Sequence, residues 1–303
     1  MTAIVAATDL VKTYSMGGAP VHALRGVSLE VAAGKIVAIM GHSGCGKTTL
    51  LNCLAGLDTV DDGAISIAGE PLHLMSDRRR TAYRARHMGF IFQSFNLLPV
   101  LNTVENVELP LLIAGARPRE ARRRAREVLA AVGMERWERH KPAQLSGGQQ
   151  QRASIARALV NTPAIIWADE PTGNLDSATA TVVMELIERL NRDNGQTFVI
   201  VTHDPAIGAR AGRIVHMQDG VISRESEVGS RESGVGSRQK AAFDAGRDDE
   251  LAHSNGSRPT LRLTTPDFRL PAKGKWTPSS PSPSSRSRAA SAPCSSRPCS
   301  SSA

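Results

Sequence analysis

The sequence has no uninterrupted apolar run of the roughly 18 residues that a membrane-spanning helix needs. The longest candidate, Val107 to Ala116, is interrupted by Glu108 and Pro110. The N-terminus has no basic segment before its first apolar residues, and Asp9 and Lys12 interrupt what could have been the apolar core of a signal peptide. We therefore expect a cytoplasmic protein that does not cross a membrane by itself.

Cysteines and tyrosines are scarce. The four cysteines, at positions 45, 53, 294 and 299, follow no metal-ligand spacing. Because so few cysteines cannot form a disulfide framework, a reducing compartment fits the chain. Only two tyrosines are present among 303 residues.

The positive charge is concentrated at the C-terminal end. The chain has a formal net charge of +8, and from Arg224 onward it has 13 Lys and Arg against 8 Asp and Glu. This leaves 24 against 21 for the preceding residues, which are nearly neutral. The composition therefore does not indicate a basic groove for nucleic acid, and we expect no nucleic-acid partner.

A glycine loop lies between an apolar segment and an amphipathic one. Residues 41–49 have the sequence G-H-S-G-C-G-K-T-T, after the apolar Lys35 to Met40. Strand, glycine loop and helix in this order are typical of a phosphate-binding loop, in which backbone N–H groups and the helix dipole face an anion. The predicted nucleotide-binding residues are Gly41, His42, Ser43, Gly44, Cys45, Gly46, Lys47, Thr48 and Thr49. Lys47 would reach the β- and γ-phosphates, and the Thr48 hydroxyl would bind Mg²⁺.

The order of predicted elements favours an α/β fold. Strands alternate with helices from the glycine loop to Ser223, which predicts a mostly parallel sheet. Two β-rich segments, Ile4 to Tyr14 and Val21 to Val31, predict an N-terminal hairpin around Gly17-Gly18. The helices Thr103 to Ala114 and Pro118 to Val132 interrupt the alternation and predict a helical insertion over residues 93–160.

The periodicity stops near Arg224. Residues 225–231 and 232–238 are near-duplicates, and residues 277–303 consist mostly of Ser, Pro and Arg. Such a composition cannot bury enough apolar surface to offset the entropy of the chain. We predict one folded domain over residues 1–224 and a disordered tail over residues 225–303.

Two features have alternative interpretations. Tyr14 could stack on a nucleotide base, or it could be a buried strand residue. The helix from Pro118 carries five arginines, which form either a solvated face or a surface for a partner or lipid headgroups.

Four further motifs follow the glycine loop. Gln93 ends the apolar strand Met88 to Phe92, and Leu145 to Gln149 have the sequence L-S-G-G-Q. Asp169 and Glu170 end a second apolar strand, and His203 follows a third. With Tyr14 and the glycine loop, this ordered set resembles the ATPase subunit of an ATP-binding cassette (ABC) transporter from Met1 to about Arg224. The L-S-G-G-Q segment distinguishes this family from other phosphate-loop proteins, which lack it.

The resemblance implies a phosphate-loop NTPase core with an N-terminal antiparallel β subdomain and an inserted α-helical subdomain. It also implies hydrolysis of ATP with Mg²⁺ held by Thr48, Gln93 and Asp169. Glu170 would be the general base, and Gln93 would sense the γ-phosphate. His203 would contact the γ-phosphate and orient the attacking water.

The resemblance further implies a head-to-tail homodimer that buries two ATP molecules. Ser146, Gly147, Gly148 and Gln149 would complete the ATP site of the other subunit. The loop Asn174 to Asp176 would touch that opposite site.

Three stretches, Phe90 to Pro99, Leu145 to Arg152 and Ala168 to Asp176, resemble the lipoprotein-releasing and macrolide-exporter group. This implies a separate integral-membrane permease that holds the chain at the cytoplasmic face of the membrane and docks near Asn96 to Leu101. A cell-division ATPase that signals through a permease-like partner without transport is the alternative hypothesis. A cassette acting on DNA or ribosomes would need two cassettes or a long coiled coil, and neither is present.

At the position of Cys45, many members of the family that the chain resembles have serine. Because its thiol would lie beside the nucleotide, we expect alkylation to inactivate the ATPase and ATP to protect it.

Overall fold

A computed structural model describes residues 3–16 and 19–228. The predicted turn at Gly17-Gly18 and nearly all of the predicted disordered tail lie outside these residues. Within the described ranges, no helix combines the length and hydropathy that crossing a bilayer requires.

Within residues 3–16 and 19–228, ten strands form two sheets. They are β1 (Ala3–Met16), β2 (Ala19–Ala32), β3 (Ile36–Met40), β4 (Asp62–Ile67), β5 (Glu70–Pro71), β6 (Met88–Phe92), β7 (Ile165–Asp169), β8 (Thr197–Thr202), β9 (Arg213–Gln218) and β10 (Val221–Glu227). The smaller sheet has the order β2-β1-β4-β5 and is antiparallel. The larger sheet has the order β10-β9-β3-β8-β7-β6, and its pairs are parallel except for the β9–β10 hairpin. The predicted N-terminal hairpin and the mostly parallel sheet are confirmed.

The described part of the chain has seven α-helices, which connect the strands. They are α1 (Lys47–Leu54), α2 (Asp77–His87), α3 (Thr103–Ile113), α4 (Pro118–Ala131), α5 (Gly147–Leu159), α6 (Ser177–Asn194) and α7 (Pro205–Gly208). Helix α3 begins with a capping box between Asn102 and Glu105, and α4 begins with proline in its first turn. These local signals explain why the sequence places both helices to within one residue.

The larger sheet is buried on both faces. In β7, Ile166 and Ala168 face one apolar cluster, and Ile165 and Trp167 face the other. The first cluster joins the sheet to α3, α4, α5 and α6, while the second joins it to α1 and the smaller sheet. Burial on both faces explains why these strands are continuous apolar runs rather than alternating ones.

Helix α4 turns its small and apolar residues inward and its arginines outward. Ala121, Ala125 and Leu129 are buried, whereas the Arg122 guanidinium binds the Glu108 carboxylate at 2.5 and 2.8 Å. Arg123 and Arg126 also pair with glutamates. These contacts favour a solvated, ion-paired face over a surface for a partner.

The chain continues as a strand past the expected end of the last hairpin. Strand β10 runs to Glu227, four residues beyond the predicted Ser223, because its pairing with β9 continues to Arg213. The Arg213 guanidinium also contacts the Glu225 carboxylate at 2.5 Å. Helix α6 ends before Gly195, which caps it in the left-handed conformation with φ of 62°.

Candidate active site

A cleft of about 760 Å³ lies where the loops after β3, β6, β7 and β8 meet. Parallel strands bring their carboxyl ends to one edge of the sheet, so motifs far apart in sequence converge there. The predicted site residues that line the cleft are Tyr14, Ser43, Gly44, Cys45, Gly46, Lys47, Thr48, Thr49, Gln93, Asp169, Glu170 and His203. Gly41 and His42 do not line it, and neither do Ser146, Gly147, Gly148 and Gln149.

Two glycines of the loop are required by its geometry. Gly46 has φ of 101°, and a Cβ there would lie 2.5 Å from the Ala23 carbonyl oxygen. A Cβ on Gly41 would lie 2.3 Å from the Met217 carbonyl oxygen. Since real Cβ contacts are never this short, the loop closely approaches β2 and β9 and must be built from glycine.

Lys47 is directed at the inside of the loop. Its ammonium donates to the carbonyl oxygens of Gly41, at 2.9 Å, and His42, at 2.8 Å. The residue is only 7% exposed. A cation held among backbone groups of a concave loop is suited to binding phosphate oxygens.

Cys45 is among the residues that line the cleft, but it is almost inaccessible to solvent. Cys45 is 2% exposed, and its sulfur would be 2.7 Å from a Cβ built on Gly41. The alkylation predicted from the sequence therefore requires the loop to open first.

The two carboxylates are presented by the end of β7. Asp169 accepts a hydrogen bond from the Thr48 hydroxyl at 3.4 Å. Burial raises the pKa of the Asp169 carboxyl, and the negative charge of Glu170 raises it further. Glu170 has φ of 47°, a left-handed conformation, and its N–H donates to the Val201 carbonyl oxygen at 2.9 Å. This strained turn directs two consecutive acids into the same cleft.

Glu170 is hydrogen-bonded to the residues that end β8. His203 Nδ1 lies 2.7 Å from Glu170 Oε1, and the His203 backbone N–H donates to the same oxygen at 3.1 Å. The Thr202 hydroxyl donates to Glu170 Oε2 at 3.3 Å. Because an ionised carboxylate only accepts, Nδ1 carries the hydrogen of this contact. Sequence reasoning missed Thr202, which has no motif of its own.

Gln93 is tied to the loop that follows the carboxylates. The Asn174 side-chain amide donates to the Gln93 carbonyl oxygen at 2.9 Å, and the Gln93 amide donates to Asn174 Oδ1 at 3.4 Å. The Gln93 side chain also leaves little space at Gly173, where a Cβ would lie 2.9 Å from Nε2. The segments around Gln93 and Asn174 therefore cannot move independently.

The turn after Gln93 contacts both ends of α5. Phe95 and Asn96 have positive φ values of 60° and 50°. Arg157 donates to the Phe95 carbonyl oxygen at 2.8 Å and also to that of Asn96. At the other end of the helix, the Phe95 ring lies 3.8 Å from a Cβ built on Gly147. Sequence analysis missed this link, which joins residues more than 60 positions apart.

The L-S-G-G-Q segment lies outside the cleft. Ser146 caps α5: its hydroxyl accepts from the Gln149 N–H at 3.4 Å, and its own N–H donates to Gln149 Oε1 at 2.9 Å. A Cβ on Gly148 would lie 2.4 Å from Thr179 Cγ2. The segment is thus packed against the start of α6, and Ser146 is exposed.

Tyr14 lies half-buried on the cleft wall, so it is not an ordinary buried strand residue. The opposite strand adds His22 and Arg25 to the wall, and the β9–β10 turn adds Asp219 and Gly220. No motif in the sequence marks these four residues. Two of them, His22 and Arg25, lie on the strand that pairs with the strand of Tyr14, and in this register Thr13 lies opposite His22. The predicted hairpin is the sequence signal that could have identified these two.

Comparisons with known proteins agree with this geometry. A family model described as ABC transporter matches residues 24–173. The lipoprotein-releasing system ATP-binding protein LolD of Bordetella pertussis is 49% identical over 214 residues, which cover 71% of this chain and 93% of that protein. The uncharacterised ABC transporter ATP-binding protein YbbA of Escherichia coli is 44% identical over 223 residues, covering 74% and 98%.

A longer relative matches only in part. The macrolide export ATP-binding/permease protein MacB of Syntrophobacter fumaroxidans is 48% identical over 220 residues, which cover 72% of this chain and 31% of that protein. Among solved structures, the ATP-binding cassette MJ0796, a dimer in a post-hydrolysis state bound to ADP and Pi, superposes with a TM-score of 0.69. It is 43% identical and covers 74% of this chain and 98% of that one. The chain therefore belongs to the ABC transporter family, as one of its ATP-hydrolysing subunits.

Proposed function

We propose that this chain binds ATP and Mg²⁺ in the cleft, dimerises head to tail over two nucleotides, and powers a separate membrane permease. The main support for the proposal is that the residues of one ATP site lie in two separate places on the chain. The glycine loop, Asp169, Glu170 and His203 share a cleft, whereas Ser146 lies outside it.

The nucleotide phosphates would occupy the glycine loop. Lys47 and the N–H groups of the loop would hold the β- and γ-phosphates. Thr48, Asp169 and Gln93 offer hydroxyl, carboxylate and amide oxygens, the ligands that Mg²⁺ prefers. The 3.4 Å between the Thr48 hydroxyl and the Asp169 carboxylate suits a shared ion. Bound Mg²⁺ would neutralise charge that develops on the phosphates.

Glu170 would accept a proton from the attacking water. Its side chain is 16% exposed, and that of His203 is 69% exposed. The exposed imidazole can therefore swing away, which frees Glu170 Oε1 for a water molecule. His203 would then hold the γ-phosphate and orient that water.

Two copies would complete each other's sites. Ser146 and the N–H groups at the start of α5, a helix of 13 residues, lie outside the cleft that contains their own glycine loop. A partner's γ-phosphate is an anion that suits such a helix terminus. The dimeric cassette MJ0796, with ADP and Pi, supports this arrangement.

The permease would dock in a groove between the core and the helical insertion. The groove has a volume of about 350 Å³ and is lined by Phe90, Phe92 and Ile113 among others. Beside it, Leu98 and Val100 are 43% and 75% exposed. The relatives named for lipoprotein release and macrolide export support a permease partner at the cytoplasmic face of a membrane.

Co-purification with the membrane subunit tests the proposal. The tagged chain should retain an untagged membrane protein after detergent extraction, and that complex should hydrolyse ATP. Val100→Glu should abolish retention, because it places a charge on the docking loop. Leu74→Glu is the matched control, since Leu74 is also 75% exposed but lies outside the groove, on the turn before α2. Equal retention by both variants would contradict docking at this loop.

A further inference from the structure

Tyr14 is held from behind by a charged cluster, defined here as Lys12, Asp58 and Asp61. The Tyr14 hydroxyl donates to Asp58 Oδ2 at 2.6 Å, and the Lys12 ammonium lies 5.2 Å from the centre of the Tyr14 ring. Tyr14 lines the cleft, whereas none of the three cluster residues does. The cluster therefore supports the ring from the side away from the cleft.

Lys12 joins the two aspartates of the cluster. The Lys12 ammonium lies 3.3 Å from Asp58 Oδ1 and 3.5 Å from Asp61 Oδ1, and Lys12 is 7% exposed. Asp58 Oδ1 also accepts from the Thr59 N–H at 2.7 Å. Burial and the Asp58 contact raise the pKa of Tyr14 to about 12. The phenol consequently stays protonated at physiological pH and keeps donating to Asp58.

Helix α1 connects this cluster to the phosphate-binding loop. Lys47 begins the helix, and its C-terminal turn continues to Asp58, whose N–H donates to the Asn52 carbonyl oxygen at 3.2 Å. Thr49, in the first turn of α1, also acts on the Tyr14 phenol, whose pKa it lowers. The Tyr14 hydroxyl is thus bound to the segment that follows the helix starting at the phosphate seat.

We propose that Asp58 is a positioning residue for nucleotide recognition: by holding the Tyr14 hydroxyl, it fixes the aromatic ring at a set place relative to the glycine loop, where an adenine base stacks. The inference rests on the proposed function, in which ATP occupies the cleft. Lys12 covers the back of the ring and holds Asp58 in place. A ring ordered before binding loses less entropy when the base arrives, so the clamp raises ATP affinity without touching ATP.

A comparison of ATP with a phosphate chain that has no base distinguishes a positioning role of Asp58 from a purely structural one. The full chain is compared with Asp58→Ala, Tyr14→Phe, the double variant and Asp58→Asn, whose amide oxygen can still accept the hydroxyl. The KM and kcat for ATP are measured, together with the dissociation constant for inorganic tripolyphosphate with Mg²⁺. Asp62→Asn is the matched control, because Asp62 is exposed and, among the residues that the structure describes, its carboxylate accepts only from the Gly63 N–H.

We expect Asp58→Ala to raise the KM for ATP about 3- to 10-fold, within the range of truncated side chains that support an interface. The kcat and the tripolyphosphate affinity should stay within about twofold. Tyr14→Phe should act in the same direction, the double variant should be no worse than the single ones, and Asp58→Asn should recover most of the loss.

Two outcomes would overturn the inference alone. One is an unchanged KM for ATP in Asp58→Ala, and the other is an equal loss of ATP and tripolyphosphate affinity, which indicates a damaged fold. A wild-type chain that binds tripolyphosphate but neither binds nor hydrolyses ATP would overturn the proposed function as well.

Discussion

Glu170 and His203 are joined by a hydrogen bond of 2.7 Å between Oε1 and Nδ1, across the ends of two neighbouring strands, β7 and β8. The His203 backbone N–H and the Thr202 hydroxyl complete the contacts of the same carboxylate. Three donors converge on one acid that stands at the mouth of the cleft. This arrangement holds the proposed proton acceptor in place, so Glu170 is the residue to change first.

Glu170→Gln should abolish hydrolysis while leaving ATP binding intact. The amide keeps the shape of the side chain but cannot accept a proton, so we expect turnover to fall at least about 100-fold. Phosphate release and nucleotide binding are measured on the same preparation. Glu127→Gln, a change on α4 outside the cleft, should behave as wild type. Full activity of Glu170→Gln would rule out Glu170 as the base.

Lys47→Ala should weaken nucleotide binding instead. Charge-assisted hydrogen bonds contribute roughly 1.5–3 kcal/mol each, so we expect the dissociation constant for ATP to rise at least about tenfold. Equilibrium titration with a fluorescent ATP analogue measures it. Lys35→Ala removes an exposed lysine outside the cleft and serves as the control. An unchanged affinity in Lys47→Ala would place the phosphates elsewhere.

Asp169→Asn should change stability in a pH-dependent way. Burial, and then the neighbouring Glu170 charge, raise the pKa of Asp169 in the folded chain. The folded state therefore binds this proton more tightly than the unfolded state, and stability falls as pH rises above the ordinary aspartate value of about 4. Asparagine does not ionise, so the stability of the variant relative to wild type should increase towards neutral pH.

The measurement is thermal unfolding of the nucleotide-free chain at pH 5 and pH 7.5. The advantage of Asp169→Asn in Tm should be larger at the higher pH, although Mg²⁺-dependent hydrolysis is lost. Asp193→Asn, an exposed control, should show no such trend. A gap in Tm that shrinks as pH rises would contradict the effect of burial.

Arg157→Ala should uncouple the turn after Gln93 from α5. Arg157 has no carboxylate at ion-pair distance among the described residues, and burial lowers its pKa. It donates instead to the carbonyl oxygens of Phe95 and Asn96. Since Arg157 does not line the cleft, ATP affinity of the monomer should be unchanged.

Dimerisation should respond to the same change. In a Glu170→Gln background, we expect Arg157→Ala to raise the dissociation constant of the ATP-bound dimer about tenfold, or about 1.4 kcal/mol, because the two bonds from Arg157 to the turn are lost. Sedimentation with ATP measures it. Arg189→Ala also removes a bond to a backbone carbonyl, that of Ala131, but far from the turn, and should have no effect. Equal dimerisation of both variants would show that the turn carries no coupling.

The sequence predicts those parts of the site that depend on neighbours in the chain. The glycine loop and the acids at 169 and 170 are local patterns, and the parallel sheet necessarily brings them together. The bond between Tyr14 and Asp58 and the bond between Arg157 and Phe95 depend on tertiary packing, so no local pattern indicates them. The burial of Cys45 also depends on tertiary packing, because it results from contacts with Gly41 and the adjacent strands.

In the proposed dimer, Ser146 of one subunit seals the triphosphate seated on Lys47 of the other. The structure of Glu170→Gln with bound ATP and Mg²⁺ tests this arrangement. We expect a head-to-tail dimer in which the Ser146 hydroxyl of each copy lies within hydrogen-bonding distance of the γ-phosphate held by the other. A structure with ATP on Lys47 and Ser146 still facing solvent, remote from every phosphate, would contradict it.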